Sequence, residues 1–459
     1  MHGELVRTEA AAMLARVMAA AESRKRSLRR LGVPTALFAL CALVYVLVLG
    51  ERRLTPSPDN HFVHLAMSFL EGQLSVLGDR APGSNDWALF EGKWYVSFPP
   101  VPAVVILPLV AIWKERTLDR LFWAALAGVA PALLYVLLRA LRERFDSGRR
   151  WGEDVALSLL FAFGTVFFFV AVQGAVWFAA HVVAVSLLML YALFSLDAKR
   201  PLLAGLMLGL CFMTRPNTCV AVLLFTIEAL RVARRSDAPS ADENTLVWMR
   251  IFVWLRGVRW PVFAKSALLF AAPILFIGAL AMWMNAARFH DPFEFGHRYL
   301  QIAWSARIER WGLFNYHYLS KNLAVFLAAL PWLSAHAPYV TVSRHGLALW
   351  VTTPNLLWSL WPKSVNATMV ALFAASAAVC IFNLLYQNSG WVQFGYRFAL
   401  DYMPFLFALL ALSKRRFGPG FWLLALFAVA INTFGAITFD RAGEFYDNDP
   451  TQSVLFQRD

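Results

Sequence analysis

Eleven apolar stretches, joined by short polar or basic connections, leave this chain one class of fold. They run over about 33–50, 119–141, 154–173, 175–195, 201–213, 217–232, 262–286, 347–362, 366–386, 398–413 and 417–437. Roughly 20 apolar residues cross hydrocarbon upright as a helix, and several of these stretches fall short of that. The chain is 59% hydrophobic and only 15% charged, too apolar for a soluble globular protein of its length. The expected fold class is therefore all-α: a polytopic integral membrane protein of about eleven transmembrane helices. A formal net charge of +13 does not call for nucleic acid, because the basic residues cluster at helix ends, as the positive-inside rule requires. Cys41, Cys211, Cys219 and Cys380 lie in apolar runs and read as small buried side chains, not as a disulfide framework or a zinc site.

Charge also sets sidedness. Residues 1–32 form a basic segment ending in Arg24-Lys25-Arg26-Ser27-Leu28-Arg29-Arg30. No small-residue cleavage pattern follows the first apolar stretch, so it reads as an uncleaved span with the N-terminus in the cytoplasm of a plasma-membrane protein. The clusters at 139–150, 231–235, 250–265 and 414–416 then fall inside, provided that residues 51–118 stay outside as one loop. Residues 99–113, with Pro99, Pro100, Pro102 and Pro108, must not cross. Residues 33–437 are one transmembrane domain, 287–346 a second external loop and 438–459 an external tail. The stretches 201–213 and 217–232 meet at Thr214-Arg215-Pro216-Asn217. A break there leaves backbone groups that need a polar cavity or protein cover.

The first external loop holds the chemistry. Asp59 follows Pro58 and precedes residues with helical spacing, so it can start a helix; as an N-cap it would contribute about 1 kcal/mol. His61, His64, Ser68 and Glu71 then share one face, and the spacing predicts an interfacial helix with that face in water. His61 and His64 have no third ligand nearby, so no metal site is expected. Asp86 supplies a second carboxylate. The second loop carries Glu294, His297 and Arg298, and Phe295-Gly296-His297-Arg298-Tyr299 echoes Phe394-Gly395-Tyr396-Arg397-Phe398. A carboxylate can take a proton from a hydroxyl as a sugar is transferred to it. Arginine can hold a phosphate in a forked pair. Apolar grooves can hold a lipid tail, and lipid-linked sugar transfer needs all three.

In layout over residues 30–437 the chain resembles the GT-C superfamily of polyprenyl-phosphate-sugar glycosyltransferases. It is most similar to bacterial relatives of protein O-mannosyltransferases and the lipid A aminoarabinose transferase. Asp59 soon after the first span carries the likeness, with Gly92-Lys93-Trp94-Tyr95 ahead of Pro99-Pro100. So does Ala204-Gly205-Leu206-Met207-Leu208-Gly209-Leu210 leading into Thr214-Arg215-Pro216-Asn217. The resemblance implies a cell-envelope enzyme that transfers with inversion; no cofactor is called for by the residues, and a divalent metal stays open. Its donor would be a polyprenyl-phosphate sugar and its acceptor an extracytoplasmic glycan, lipid or protein. Asp59 would be the catalytic residue, with Asp86 orienting the acceptor or supporting it. Many relatives have Asp-Glu where this chain has Asp59-Asn60, and a Lys where it has Phe98. The phosphate contact of that Lys would pass to Lys93, Arg215 or Arg397, with His61, His64, Glu294, His297 and Arg298 as acceptor-binding or supporting groups. Two other readings compete. A lipid-linked polysaccharide polymerase or ligase would centre on 287–346 and make Asp59 incidental. A transporter would predict buried membrane charges and inverted repeats, and apart from Arg215 and Glu228 few such charges occur.

Overall fold

The computed structural model describes residues 28–78, 81, 85–145, 147–238 and 246–447. Most of the basic N-terminal segment and residues 448–459 of the tail lie outside the described residues. The fold is helical, with two small antiparallel hairpins among the described residues. Among the described residues, seven helical stretches are long and apolar enough to cross a membrane: Arg30–Leu54, Asp119–Phe145, Val176–Ala198, Pro216–Ala233, Trp260–Phe289, Ala367–Leu384 and Pro419–Thr438.

The remaining expected spans are shorter or broken. Residues 154–173 split at Gly164 into Trp151–Phe163 and Phe167–Ala171. Residues 347–362 form one turn, Leu349–Thr352, and then a tighter 3-10 stretch, Pro354–Leu360, where Pro354 cannot continue the helix. Residues 398–413 contain a helix only over Met403–Leu412, in which all but Leu406 are buried. Wrapped in other helices, this segment is apolar all round, so hydropathy alone could not tell it from a lipid-facing span.

We number the elements that position the site as α1 (Val33–Leu49), α2 (His61–Leu70), β1 (Trp87–Phe90), β2 (Lys93–Val96), α3 (Val101–Trp113), α4 (Asp119–Ala127), α5 (Val129–Phe145), α6 (Val176–Ser195), α7 (Pro201–Phe212), α8 (Val222–Ala233), α9 (Val247–Arg256), α10 (Trp260–Phe289) and α11 (Ala367–Leu384). The Ser57 amide donates to Asp119 Oδ1 at 2.7 Å and Arg120 Nη1 to Thr55 Oγ1 at 3.2 Å. The loop 51–118 therefore starts and ends at one place, between the end of α1 and the start of α4. Within it, α3 packs against α2, burying Phe62, Ala66, Ala103 and Ile106 in one cluster.

The interfacial reading of α2 needs correcting. His61 and Ser68 are as buried as Phe62, Val63 and Leu65. The hairpin β1–β2 and α3 cover the face that spacing alone assigns to water. Asp59 does not start the helix either: the cap position falls to Asn60, and α2 begins at His61. Of the cysteines, Cys219 is exposed, against expectation.

Small residues let α7 and α10 touch. A Cβ on Gly205 would collide with the Phe270 carbonyl oxygen, and one on Gly209 would lie 2.7 Å from Ile277 Cδ1. Close approach of this kind is how helices associate without a hydrophobic drive. Gly205→Ala meets backbone, which cannot rotate away, so overpacking should cost about 1–3 kcal/mol. A lowered thermal midpoint in detergent checks this; an unchanged one would mean that α10 is free to shift.

Just ahead of α7, against the end of α8, lies a largely buried ionic cluster. Arg231 Nη2 donates to Asp197 Oδ1 at 2.7 Å and to Glu228 Oε2 at 3.0 Å, and Thr368 Oγ1 donates to Glu228 Oε1 at 2.6 Å. Arg144 joins the same carboxylates. Glu228, one of the few charges inside an apolar stretch, is thus neutralised by structural partners.

Candidate functional site

Two consecutive residues at the start of α6 hold the Asp59 backbone and the Asp86 carboxylate of the first loop. The Val176 amide donates to the Asp59 carbonyl at 3.0 Å, and Trp177 Nε1 donates to Asp86 Oδ2 at 2.7 Å. Asp59 and Asp86 therefore gather at the N-terminal end of a 20-residue helix, where unpaired amides favour negative charge. The Asp59 amide also donates to Ser57 Oγ at 3.3 Å. Asp86 has φ +62°, a backbone state unusual for a residue with a side chain.

His61 holds that state in place. Its ring stacks on Trp87 at 4.0 Å and 12°, and its Nε2–H donates to the Asn85 carbonyl at 2.8 Å. Burial pushes the His61 pKa down to about 4, against the raising effect of the Asn85 bond, so the ring is neutral at pH 7. It is a clamp on the 85–87 turn, not a charged group facing water. His61→Ala removes the stack and the bond together. Any activity that depends on this turn should fall at least tenfold; His64→Ala, whose ring meets Trp87 edge-on at 5.8 Å, should matter less.

Burial also raises the pKa of Asp86; the Trp177 bond opposes this, the neighbouring Asp59 charge adds to it, and Arg397 opposes it. Asp86 therefore keeps its proton to a higher pH than an ordinary aspartate. If the reaction needs it ionised, activity falls as pH drops through that raised value. Asp86→Asn should remove this limb of the pH–rate profile, and an unaltered limb would assign it to another group.

Arg397 comes from the turn Arg397–Asp401, ahead of the buried helix Met403–Leu412. Its guanidinium lies 4.9 Å from the Phe178 ring centre, and the residue is only 5% exposed. Its Nε and Nη1 have no hydrogen-bond partner among the described residues. The Gln393 side chain accepts from its backbone amide at 2.9 Å. Leaving a buried guanidinium half-unpaired is costly, and an arriving anion would relieve that cost.

Arg215 is placed differently from expectation. Its Nε and Nη2 donate to the two oxygens of Asp401 at 2.5 and 2.7 Å. Asn217 and Asn383 also donate to Asp401, at 2.6 and 3.1 Å, and His181 Nδ1 lies 3.4 Å from it. The forked edge expected to grip a phosphate is occupied by a fully buried carboxylate. The break at Pro216 thus brings Arg215 and Asn217 onto the turn that carries Arg397. Asp401, His181, Asn383 and Trp177 gave no signal at the sequence level: each is a single polar residue beside an apolar run, and only the folded contacts give it a task.

Lys93 is not brought to this cluster. It is exposed at the hairpin turn, paired in register with Phe90. Phe90 packs on Phe289 and Tyr299, and the Trp87 carbonyl accepts from the Gln301 amide at 3.1 Å, so the segments 51–118 and 287–346 are joined. Glu294 accepts from the Gly296 amide at 2.7 Å and lies 3.6 Å from Arg298, whose side chain is 79% exposed. Burial, and then the charge of Arg288, push the His297 pKa down to about 4. Arg298 and Arg397 are therefore not equivalent, one being open to solvent and the other enclosed. Among the described residues no three of His, Cys, Asp and Glu gather in a way that would hold a metal ion.

No known protein family matches this chain, and no curated protein does. Solved structures similar to it include an oligosaccharyltransferase from Archaeoglobus fulgidus in the apo form, 13% identical with a TM-score of 0.46 over 92% of this chain and 60% of that one. ArnT from Cupriavidus metallidurans, bound to undecaprenyl phosphate, is 13% identical with a TM-score of 0.47 over 86% and 63%. The archaeal enzyme tethered to an acceptor peptide gives 12% and 0.41 over 92% and 59%. The chain thus spans about three fifths of the length of these structures.

Proposed function

We propose that this protein is a membrane glycosyltransferase that moves a sugar from a polyprenyl-phosphate donor to an acceptor hydroxyl at the outer face, with inversion. The observation that carries this reading is the enclosed Arg397 guanidinium, with two nitrogens unpartnered among the described residues, within electrostatic reach of the Asp86 carboxylate at the start of α6. Asp59 takes the proton of the acceptor hydroxyl. The hydroxyl oxygen forms the new bond to the anomeric carbon, and the bond from that carbon to the phosphate oxygen breaks. The lipid phosphate leaves with the electron pair, and Arg397 stabilises its charge. Asp86, held by Trp177 and the His61 clamp, orients the acceptor. Arg215 positions the turn carrying Arg397 through Asp401. The acceptor is a glycan, lipid or protein outside the plasma membrane.

Arg397→Gln should weaken binding of a polyprenyl-phosphate sugar and slow its turnover, roughly tenfold or more, since a charge-assisted bond contributes about 1.5–3 kcal/mol. Arg397→Lys should rescue only in part, because an ammonium cannot make the forked contact. Unchanged donor affinity in the Gln variant would overturn the assignment. The orientation is tested by Lys114→Cys, at the end of α3: a membrane-impermeant thiol reagent should label it from outside the cell. In the polymerase or ligase reading Arg298 is central, and Arg298→Ala would then cost more than Asp59→Ala. The exposure of Arg298 favours the opposite order.

A further inference from the structure

The strap α9 bridges the end of α8 and the start of α10 at the face opposite the candidate site. From Arg215 the chain climbs through Pro216–Ala233, 18 residues or about 27 Å of helix, before it reaches the strap. Backbone bonds dock the strap: Arg235 N–H to the Gly257 carbonyl at 3.0 Å and Arg259 N–H to the Ala233 carbonyl at 2.9 Å. A Cβ on Gly257 would collide with that of Ala238, so the joint is closely packed. The strap cannot swing far from the membrane boundary where α8 ends and α10 begins.

Its outer surface has two parts. Trp248, Ile251 and Phe252 recur at helical spacing and are 66%, 55% and 54% exposed. This apolar face continues into Trp260, Leu268 and Leu269 of α10, which are also exposed. Around it stand Arg235, Arg250, Arg256, Arg259 and Lys265, all exposed, and none forms an ion pair among the described residues. Arg256 folds over the Phe252 ring at 4.6 Å, holding its charge level with the apolar face. Asp237 is the one acid among the described residues of 231–265.

We infer that this strap is a binding site for anionic phospholipids. The apolar face enters the boundary between acyl chains and headgroups, and the arginines hold phosphate-bearing headgroups around it. Charge complementarity chooses the occupant. A zwitterionic surface would offer no net counter-charge to five clustered cations, which Asp237 alone among the described residues of 231–265 opposes, and the exposed apolar residues run on into α10, a candidate span. The site is separate from the candidate transfer site, so either can fail alone.

The test uses the full-length protein in detergent, with phosphatidylglycerol or phosphatidylcholine added and bound lipids counted by native mass spectrometry. Wild type should take up phosphatidylglycerol in preference. Each arginine near an anionic surface contributes about fivefold in affinity. Arg250→Gln/Arg256→Gln should therefore reduce phosphatidylglycerol binding by about tenfold or more and leave phosphatidylcholine binding unchanged. Both side chains are exposed, so the fold is expected to survive; if the pair unfolds, each single variant should still show about a fivefold loss. Lys414→Gln/Arg416→Gln removes equal charge from exposed positions elsewhere on the same face and should change little. Wild-type phosphatidylglycerol binding in the strap variants overturns the inference. So does an equal loss in the Lys414/Arg416 control, or a parallel loss of phosphatidylcholine.

Discussion

Asp59→Asn should lower sugar transfer by about 10²–10⁴-fold, the usual contribution of a general base, while leaving fold, membrane level and donor binding nearly intact. The structure sharpens this expectation. Asn60, not Asp59, occupies the cap position of α2, so the substitution removes no helix cap. The contacts of Asp59 to Val176 and Ser57 are made by its backbone and persist in the variant. The substitution removes the ability to accept a proton, and a negative charge that also acts on Asp86 and Arg120. Near wild-type turnover in purified Asp59→Asn would pass the base role to Asp86 or Glu294.

The second large effect is on stability. Arg215→Gln should destabilise the protein by about 3–5 kcal/mol, because it leaves the Asp401 carboxylate buried without its principal counter-charge. Asn217 and Asn383 still donate to Asp401, but neutral donors do not replace a guanidinium. A sharply lower thermal midpoint in detergent checks this. Arg215→Met/Asp401→Leu should recover much of the loss, since it removes both charges. Normal stability with selectively weakened donor binding in Arg215→Gln would instead restore Arg215 as the phosphate ligand.

These two residues show what the sequence makes legible. Arg215 beside Pro216 marks a helix break that must face something polar, and the structure has that break and the polar cluster. Which anion the arginine meets depends on Asp401, far along the chain, and no local pattern joins them. The loop 51–118 behaves the same way. Its carboxylates are legible in the sequence, while the meeting of its two ends at Ser57 and Asp119 is seen in the fold. The burial of His61 and Ser68 does not, because helical spacing shows which residues share a face but not what later packs on it. Segments such as Met403–Leu412 mislead for a related reason. A helix enclosed by protein and one enclosed by lipid have the same composition.

The central claim is transfer from a lipid phosphate with Asp59 and Arg397 at the reacting bond. The most direct measurement gives the purified protein a polyprenyl-phosphate sugar and an acceptor, and follows release of the free lipid phosphate. The account predicts release by wild type, loss of about 10²–10⁴-fold in Asp59→Asn with donor still bound, and weakened donor binding in Arg397→Gln. Release that is indifferent to both substitutions but abolished by Arg298→Ala would contradict it and move the chemistry to residues 287–346.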